Sequence, residues 1–198
     1  MLTQLATVKA RLAIDQFDLQ YDPILTNAIK AVSARFDKEC NRTLARTVGL
    51  TEEFSGEATE IRAACYPIEA VTKFELKSNE TEGWLEQANV EFLIRRHCVV
   101  SLSQPLIYRC STINSPQARL TYTGGYVLPG ATPGAGQTVL PDDLEQAAVE
   151  QVAAWFQNRD RLGLDTIWPH GGTYEKFIQS DLLLNVKAVL VKYERWMV

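Results

Sequence analysis

The segment "LPDDLEQAAVEQVAAWFQNRDRLG", residues 140–163, carries the clearest helix signals in the chain and decides the fold of its helical part. Pro141 stands near the first helical position and is followed by carboxylates at the positive end of the helix dipole. Arginines stand at the negative end, and Gly163 is typical of a C-terminal stop. The segment therefore predicts a helix about 30 Å long at roughly 1.5 Å per residue.

This helix is predicted to bury one side. Successive residues turn by about 100°, which gathers the apolar positions into one core-facing arc. The arc consists of Leu144, Ala148, Val149, Val152, Trp155 and Phe156. Glu145 and Arg159 lie inside the arc at its two ends, so we expect them either to reach the rim of the core or to be paired, within the fold or across a subunit boundary. Ala147, Gln151 and Ala154 form an adjacent strip of small and polar side chains, suited to close approach by another helix.

Three further helices are predicted from apolar spacings of three and four residues. The first covers about residues 4–13, with Thr3 as its N-cap, and the second covers 22–42, beginning at an Asp22-Pro23 start signal. A final helix is predicted over about residues 174–196.

Between about residues 50 and 125 the period changes to two, which predicts four to six antiparallel strands. In "TKFELK" the alternation puts Thr72, Phe74 and Leu76 on one face. In "RLTYTGGY" it puts Leu120 and Tyr122 on one face. The inward positions of "VEFLIRR" are Val90, Phe92 and Ile94.

These elements predict an α+β fold, a bundle of about four helices with an antiparallel β section between the second and third helices. We expect one domain over residues 1–198. Its parts are N-terminal helices over 1–48, the β section over 50–126 and C-terminal helices over 140–198.

The composition indicates a folded protein without a basic surface. Hydrophobic residues make up 46% and charged residues 22% of the 198 positions. The net charge of -4 provides no field to attract phosphate backbones or anionic membranes. The sequence has no apolar run long enough to span a membrane, and its start lacks the charged-then-apolar pattern of a signal peptide. We therefore expect a protein made in the cytoplasm.

No pattern in the sequence predicts a metal, cofactor or catalytic site. The four cysteines include no Cys-x-x-Cys pair, and the chain has only two histidines. The number and spacing of these residues therefore do not match a zinc site. His97 and Cys98 are adjacent and would point to opposite faces of a strand, and His170 lies in a loop with no identifiable partner. We therefore expect no enzyme activity, no metal and no cofactor.

The glycine-rich stretch "VLPGATPGAGQTVL", residues 127–140, invites comparison with a phosphate-binding loop. Ala131 stands where the first glycine of such a loop belongs, and Gln137 stands where a lysine must meet the phosphates. We expect a flexible connection instead.

The order of segments resembles the head-tail adaptor, or connector, proteins of tailed bacteriophages, in the longer version with a β section. The likeness covers most of the chain and is weakest over residues 78–115 and beyond 165. The segments that carry it are "LTQLATVKARLAID", "DPILTNAIKAVSARFDKECNRTL", "YPIEAVTKFEL", "LTYTGGY" and "LPDDLEQAAVEQVAAWFQNRDRLGL".

The resemblance implies a structural protein of the virion neck, assembled in the cytoplasm of a host bacterium. Family members form a ring, commonly of twelve copies, beneath the portal protein. The ring joins head to tail, extends the channel for double-stranded DNA without specific binding, and contacts a downstream neck or tail protein. We expect subunit or partner contacts from Arg42, Tyr126, Ala147, Gln151, Ala154, Arg159, Trp196 and Met197.

Alternatives remain at this point. Trp196 and Met197 could equally pack on their own domain. The chain could be a head-closure or tail-completion protein of the same neck. A protein of another class, a nucleotide-binding enzyme, would have to use the loop from Gly130 to Thr138.

Overall fold

The computed structural model describes residues 1–56, 58–88, 90–102, 117–159, 166–167, 175–176 and 182–195. The chain forms two compact units, a helical unit of Met1–Cys40 with Leu140–Glu194 and a β unit of Asn41–Val139 with Arg195–Val198. The α+β class is confirmed, with the strands of the β unit inserted between the second and third helices. One domain over the whole chain stays a prediction.

The described residues of the helical unit contain four α-helices. These are α1 (Leu5–Arg11), α2 (Asp22–Glu39), α3 (Asp142–Gln157) and α4 (Leu184–Leu190), which continues into a short 3-10 helix at Val191–Tyr193. The apolar stripe of α2 is buried as its spacing predicts, at Leu25, Ile29, Val32 and Phe36. The arc of α3 is buried at Leu144, Ala148, Val149, Val152 and Phe156, whereas Trp155, also predicted to face the core, is only half-buried.

The predicted end of the third helix is wrong because side chains, and not a glycine, complete it. Helix α3 ends at Gln157, six positions before Gly163. The Asn158 amide donates to the carbonyl of Ala154 at 2.8 Å, and the Arg159 guanidinium donates to that of Phe156 at 2.8 Å. The helix therefore ends without a glycine cap.

The final helix is also shorter than the predicted 174–196. Glu175–Lys176 form a strand that pairs antiparallel with Thr166–Ile167, and α4 begins only at Leu184. The residue before it, Leu183, is extended, and its N–H donates to the side chain of Gln151. At the other end, Glu194 is extended as well.

The N-cap predictions are wrong for the first two helices. Gln4, and not Thr3, precedes α1, and the Thr3 hydroxyl lies 3.4 Å from a carboxylate oxygen of Glu145, to which it donates. Asp22 is the first residue of α2 and not its cap. The Thr3 hydroxyl thus donates to Glu145, far away in the sequence, and does not cap the helix that follows it.

The β unit is built from antiparallel strands, as predicted, but the described residues hold seven of them between Thr47 and Gly124 where four to six were expected. A four-stranded sheet has the order β1-β7-β3-β4 and a three-stranded sheet the order β2-β6-β5. The short strands β2 and β4 carry too few residues to show a period in the sequence. The strands are β1 (Thr47–Ser55), β2 (Glu60–Arg62), β3 (Ile68–Lys77), β4 (Leu85–Glu86), β5 (Phe92–Arg95), β6 (Val99–Leu102) and β7 (Gln117–Gly124).

The core of the β unit confirms most of the predicted inward positions. Phe74, Leu76, Leu120 and Tyr122 are buried, and Val90, Phe92 and Ile94 pack against them. Thr72 is exposed, contrary to the prediction. The register of β3 on β7 shifts between Val71 and Lys73, and a bulge of this kind moves the residue beside it to the other face.

Candidate functional site

The predicted contact residues Arg42 and Tyr126 are brought together inside the β unit. Arg42 is 4% exposed, and its guanidinium carbon lies 3.2 Å from the ring centroid of Tyr66 and 5.3 Å from that of Tyr126. One guanidinium nitrogen donates to the Tyr66 carbonyl, while Nε and Nη1 have no hydrogen-bond partner among the described residues. This cation is therefore stabilised by aromatic faces. A contact of Arg42 or Tyr126 with another subunit stays a prediction.

The strip on α3 contacts another helix of its own unit. Ala147 and Gln151 are buried, and Gln151 accepts a hydrogen bond from the N–H of Leu183 at 2.9 Å. Ala154 is half-buried and lines a groove together with Leu183. The close approach of another helix is thus observed, while a contact with another subunit stays a prediction.

Arg159 lies over aromatic rings at the end of α3. Its guanidinium carbon is 4.2 Å from the ring centroid of Phe156 and 5.5 Å from that of Tyr21. The two rings meet edge to face at 5.2 Å. Arg159 also donates to the last turn of the helix, where the dipole favours a cation. A contact of Arg159 with another subunit stays a prediction.

Trp196 and Met197 lie outside the described residues. The residue before them, Arg195, is held in the β unit by Glu52, whose carboxylate it meets at 2.7 Å, and by the carbonyl of Arg62. The same Glu52 side chain accepts hydrogen bonds from the N–H of Ala64 at 2.9 Å and from the hydroxyl of Tyr122 at 3.0 Å. Sequence analysis missed this network, because its members are far apart in the chain.

The pKa of Tyr122 is raised within this network. Burial raises the pKa of its hydroxyl far above the ordinary value, and the neighbouring Glu52 carboxylate raises it further. The hydroxyl also accepts the N–H of Cys65 at 3.1 Å. Tyr122 is thus kept neutral, and it joins strands that are distant in sequence.

The ends of the glycine-rich loop are joined by backbone pairing, while its flexibility stays a prediction. Strand β8 (Tyr126–Val127) pairs in parallel with β9 (Thr138–Val139) at its base. Within it, the side-chain oxygen of Gln137 accepts the N–H of Gly134 at 2.9 Å. One backbone amide of the loop is thus occupied, and no residue from 127 to 140 carries a charge.

Neither a metal-binding cluster nor a membrane-spanning helix occurs among the described residues. No group of three or more histidine, cysteine or acidic side chains there is placed to hold a metal ion. None of the helices in that part of the chain has the length and apolar character needed to cross a membrane.

Comparison with solved structures gives matches along nearly the whole chain. The chain in "Neck of empty GTA particle computed with C6 symmetry" matches with a TM-score of 0.56 and 16% identity, over 98% of this chain and 89% of the other. Those in "Virion of native gene transfer agent (GTA) particle" and "Neck of native GTA particle computed with C12 symmetry" match over the same shares, at 15% identity and TM-scores of 0.56 and 0.53. No protein-family model and no curated protein matches the sequence. At these identities the comparisons establish a shared fold, that of proteins from the neck or virion of a phage-like particle.

Proposed function

We propose that this protein is a structural component of the neck of a tailed phage or phage-like particle. In this role it forms a ring beneath the portal protein, joins the head to the tail and extends the DNA channel. The observation that carries the proposal is the match of 98% of this chain to 89% of a neck chain, which leaves little of either protein unmatched. The ordered segments that resemble head-tail adaptors lead independently to the same kind of protein.

A ring of identical copies is supported by the symmetry of the matched particles. Their necks were computed with six-fold and twelve-fold symmetry. Twelve copies of this chain would satisfy both symmetries. Closed rings of one chain need two different surfaces on each copy that fit each other.

The charge of the protein fits a channel that lets DNA slide. Each phosphate contact made by lysine or arginine adds salt-dependent affinity, so a basic lining would grip the duplex. The chain carries 24 acidic against 20 basic side chains. Several arginines already form ion pairs within the fold. These pairs are Arg46 with Glu69, Arg119 with Glu53 and Arg195 with Glu52.

A structural role is also favoured over nucleotide hydrolysis. The closed loop at 127–140 offers no cation for a phosphate, and Gln137 occupies one of its amides. Calorimetry with ATP should therefore give no binding heat, and substitution of Gln137 or Thr138 should leave assembly unchanged.

The decisive experiment is recruitment of the purified chain by a portal protein. We expect electron microscopy to show a ring of this chain on the portal, located in the neck of purified particles. Absence of the chain from mature particles would contradict the proposal. Purification with a tail protein in place of the portal would identify a head-closure or tail-completion component instead.

A further inference from the structure

The chain that follows β3, up to the end of β4, concentrates negative charge. Residues 78–86 include Glu80, Glu82 and Glu86 and no lysine or arginine. The side chain of Glu80 is 89% exposed and that of Glu86 is 61% exposed. The N–H of Glu82 donates to the side chain of Asn79 at 2.8 Å, which helps to fix the backbone here. We call residues 78–86 the acidic turn.

The hairpin of β5 and β6 ends in a turn of the opposite charge. Residues 92–99 include Arg95, Arg96 and His97 and no acidic residue, and these three side chains are exposed. Arg96 and His97 have positive φ angles of 50° and 55°, as the favoured two-residue hairpin turn requires. The N–H of Cys98 donates to the carbonyl of Arg95 at 3.1 Å and closes the turn. We call residues 95–98 the basic turn.

The two turns lie at opposite ends of β3. The N–H of Ile68, the first residue of this strand, donates to the carbonyl of His97 at 2.7 Å. The ammonium of Lys77, the last residue of the strand, forms an ion pair with Glu80 at 2.7 Å. A strand of 10 residues is roughly 30 Å long at about 3.3 Å per residue. The β unit therefore carries a negative surface at one end of β3 and a positive surface at the other.

Positive charge at the basic turn exceeds the negative charge beside it. Arg95 meets Glu60 at 2.9 Å, but both side chains are more than half exposed, so water competes for this pair. The guanidinium of Arg96 has no ion-pair partner in the described part of the chain. Leu93, two positions before Arg95 and on the same face of β5, is 52% exposed. The basic turn thus offers guanidinium groups beside an apolar side chain.

The acidic turn likewise keeps unbalanced charge. Lysine ammonium groups lie 2.7 Å from Glu80 and 3.7 Å from Glu86. The carboxylate of Glu82 has no ion-pair partner among the residues described. Leu85, next to Glu86 in β4, is 48% exposed. Each turn therefore combines an unpaired charge with an exposed leucine, and the two charges have opposite signs.

We propose that the acidic turn of one copy docks against the basic turn of a second copy, so that copies associate head to tail. Opposite charges favour this pairing and disfavour the pairing of two identical turns, because like charges repel each other. A head-to-tail contact uses two different surfaces on each copy and generates a ring when the rotation closes. The inference rests on the proposed function, because it names the contact between neighbouring copies of the ring.

A photoreactive group tests the contact directly. Thr81, an exposed residue of the acidic turn, is replaced with p-benzoylphenylalanine in the full chain. Isotope-labelled and unlabelled copies are mixed and illuminated, both free at high concentration and on portal-bound rings. We expect mass spectrometry to map cross-links between copies to residues 60–62 or 92–102, the sheet that bears the basic turn. Cross-links to other surfaces, or none under either condition, would overturn the inference.

The matched control carries the same photoreactive group on the helical unit. Ala31 is an exposed position of α2, and a probe there should give no cross-link to the sheet of the basic turn. Equal cross-linking to that sheet from both positions would show unspecific association and would also overturn the inference.

Charge reversal tests whether opposite charges hold the contact. Glu80→Arg with Glu82→Arg, or Arg95→Glu with Arg96→Glu, should each reduce cross-linking at least about tenfold, because like charges then meet. An equal mixture of the two double variants should restore it, since each contact can again join opposite charges. This recovery also shows that both variants are folded. Lys30→Glu, a reversal at an exposed position of α2, should leave cross-linking unchanged. Unchanged cross-linking in the double variants, or no recovery in the mixture, would contradict the pairing.

These results separate the inference from the proposed function. Rings on the portal without cross-links between the two turns would leave the neck function standing and remove the docking. Cross-links between the turns in free assemblies, with no ring on any portal, would support the docking and contradict the neck function.

Discussion

The side-chain oxygen of Gln151 accepts a hydrogen bond from the N–H of Leu183 at 2.9 Å, which joins the middle of α3 to the start of α4. Gln151 is only 1% exposed and Leu183 is half-buried, so this bond is partly shielded from water. A buried amide that loses its acceptor keeps the full cost of its desolvation. The bond therefore positions α4 within the helical unit.

Replacement of Gln151 by methionine should lower the free energy of unfolding by about 1–3 kcal/mol, because the partly buried Leu183 N–H would then lack its acceptor. Chemical denaturation measures the change, and hydrogen exchange at Leu183 should become faster. The control Gln146→Met alters an exposed residue of the same helix and should cost at most about 0.5 kcal/mol. Equal effects of the two substitutions would argue against the role of this bond.

Arg42→Lys should destabilise the protein by about 2 kcal/mol, because an ammonium cannot stack on Tyr66 as a guanidinium does and loses the donation to its carbonyl. Arg42→Met should cost less, since it also removes a buried charge. The measurement is the urea midpoint of both variants. As a control, Arg96→Lys at an exposed turn should change stability by less than about 0.5 kcal/mol. A larger loss for methionine than for lysine would contradict this account.

Gly125→Ala should be strongly destabilising, by at least about 2 kcal/mol. Gly125 has a φ of +102°, and a Cβ there would lie 2.6 Å from the carbonyl oxygen of Ala45. The matched control is Gly134→Ala, where the nearest atoms, at 3.4 Å, belong to the flexible side chain of Gln137. Thermal unfolding compares the two, and similar melting temperatures would refute the steric argument.

Stability should fall as the pH rises above about 10, the ordinary pKa of tyrosine. The raised pKa keeps Tyr122 protonated in the folded state while the unfolded chain ionises, so its contribution is complete below that pH and is lost above it. Denaturation at pH 8 and pH 10.5 measures the loss. Tyr122→Phe should show a smaller loss over this range, and an identical loss would exclude Tyr122 as the source.

Local periodicity predicted the faces of the elements. The stripe of α2, the arc of α3 and the inward Leu120 and Tyr122 all follow from spacing alone, because burial repeats with the geometry of the helix or strand. Thr72 was misplaced because a bulge depends on the partner strand, which a single strand's sequence does not contain.

The sequence predicted less about the candidate site than about the faces of the helices and strands. Arg42, Tyr126 and Gln151 were selected as contact residues, but their partners within the fold could not be named. Lys9 lies in the last turn of α1, and nothing near it in the sequence indicates that its ammonium is buried and donates to the carbonyls of Gln16 and Asp18.

The sequence by itself determined the α+β class, the order of helices and strands, and the absence of a phosphate-binding pattern, since these depend on residues near each other in the chain. Only the tertiary structure decided that Glu52 joins Tyr122 to Arg195, that Gln151 holds the start of α4, and that Lys9 fixes the loop displaying Phe17. The physical reason is that a buried polar group must find a partner, and in each of these cases that partner is brought close by packing and not by the local sequence.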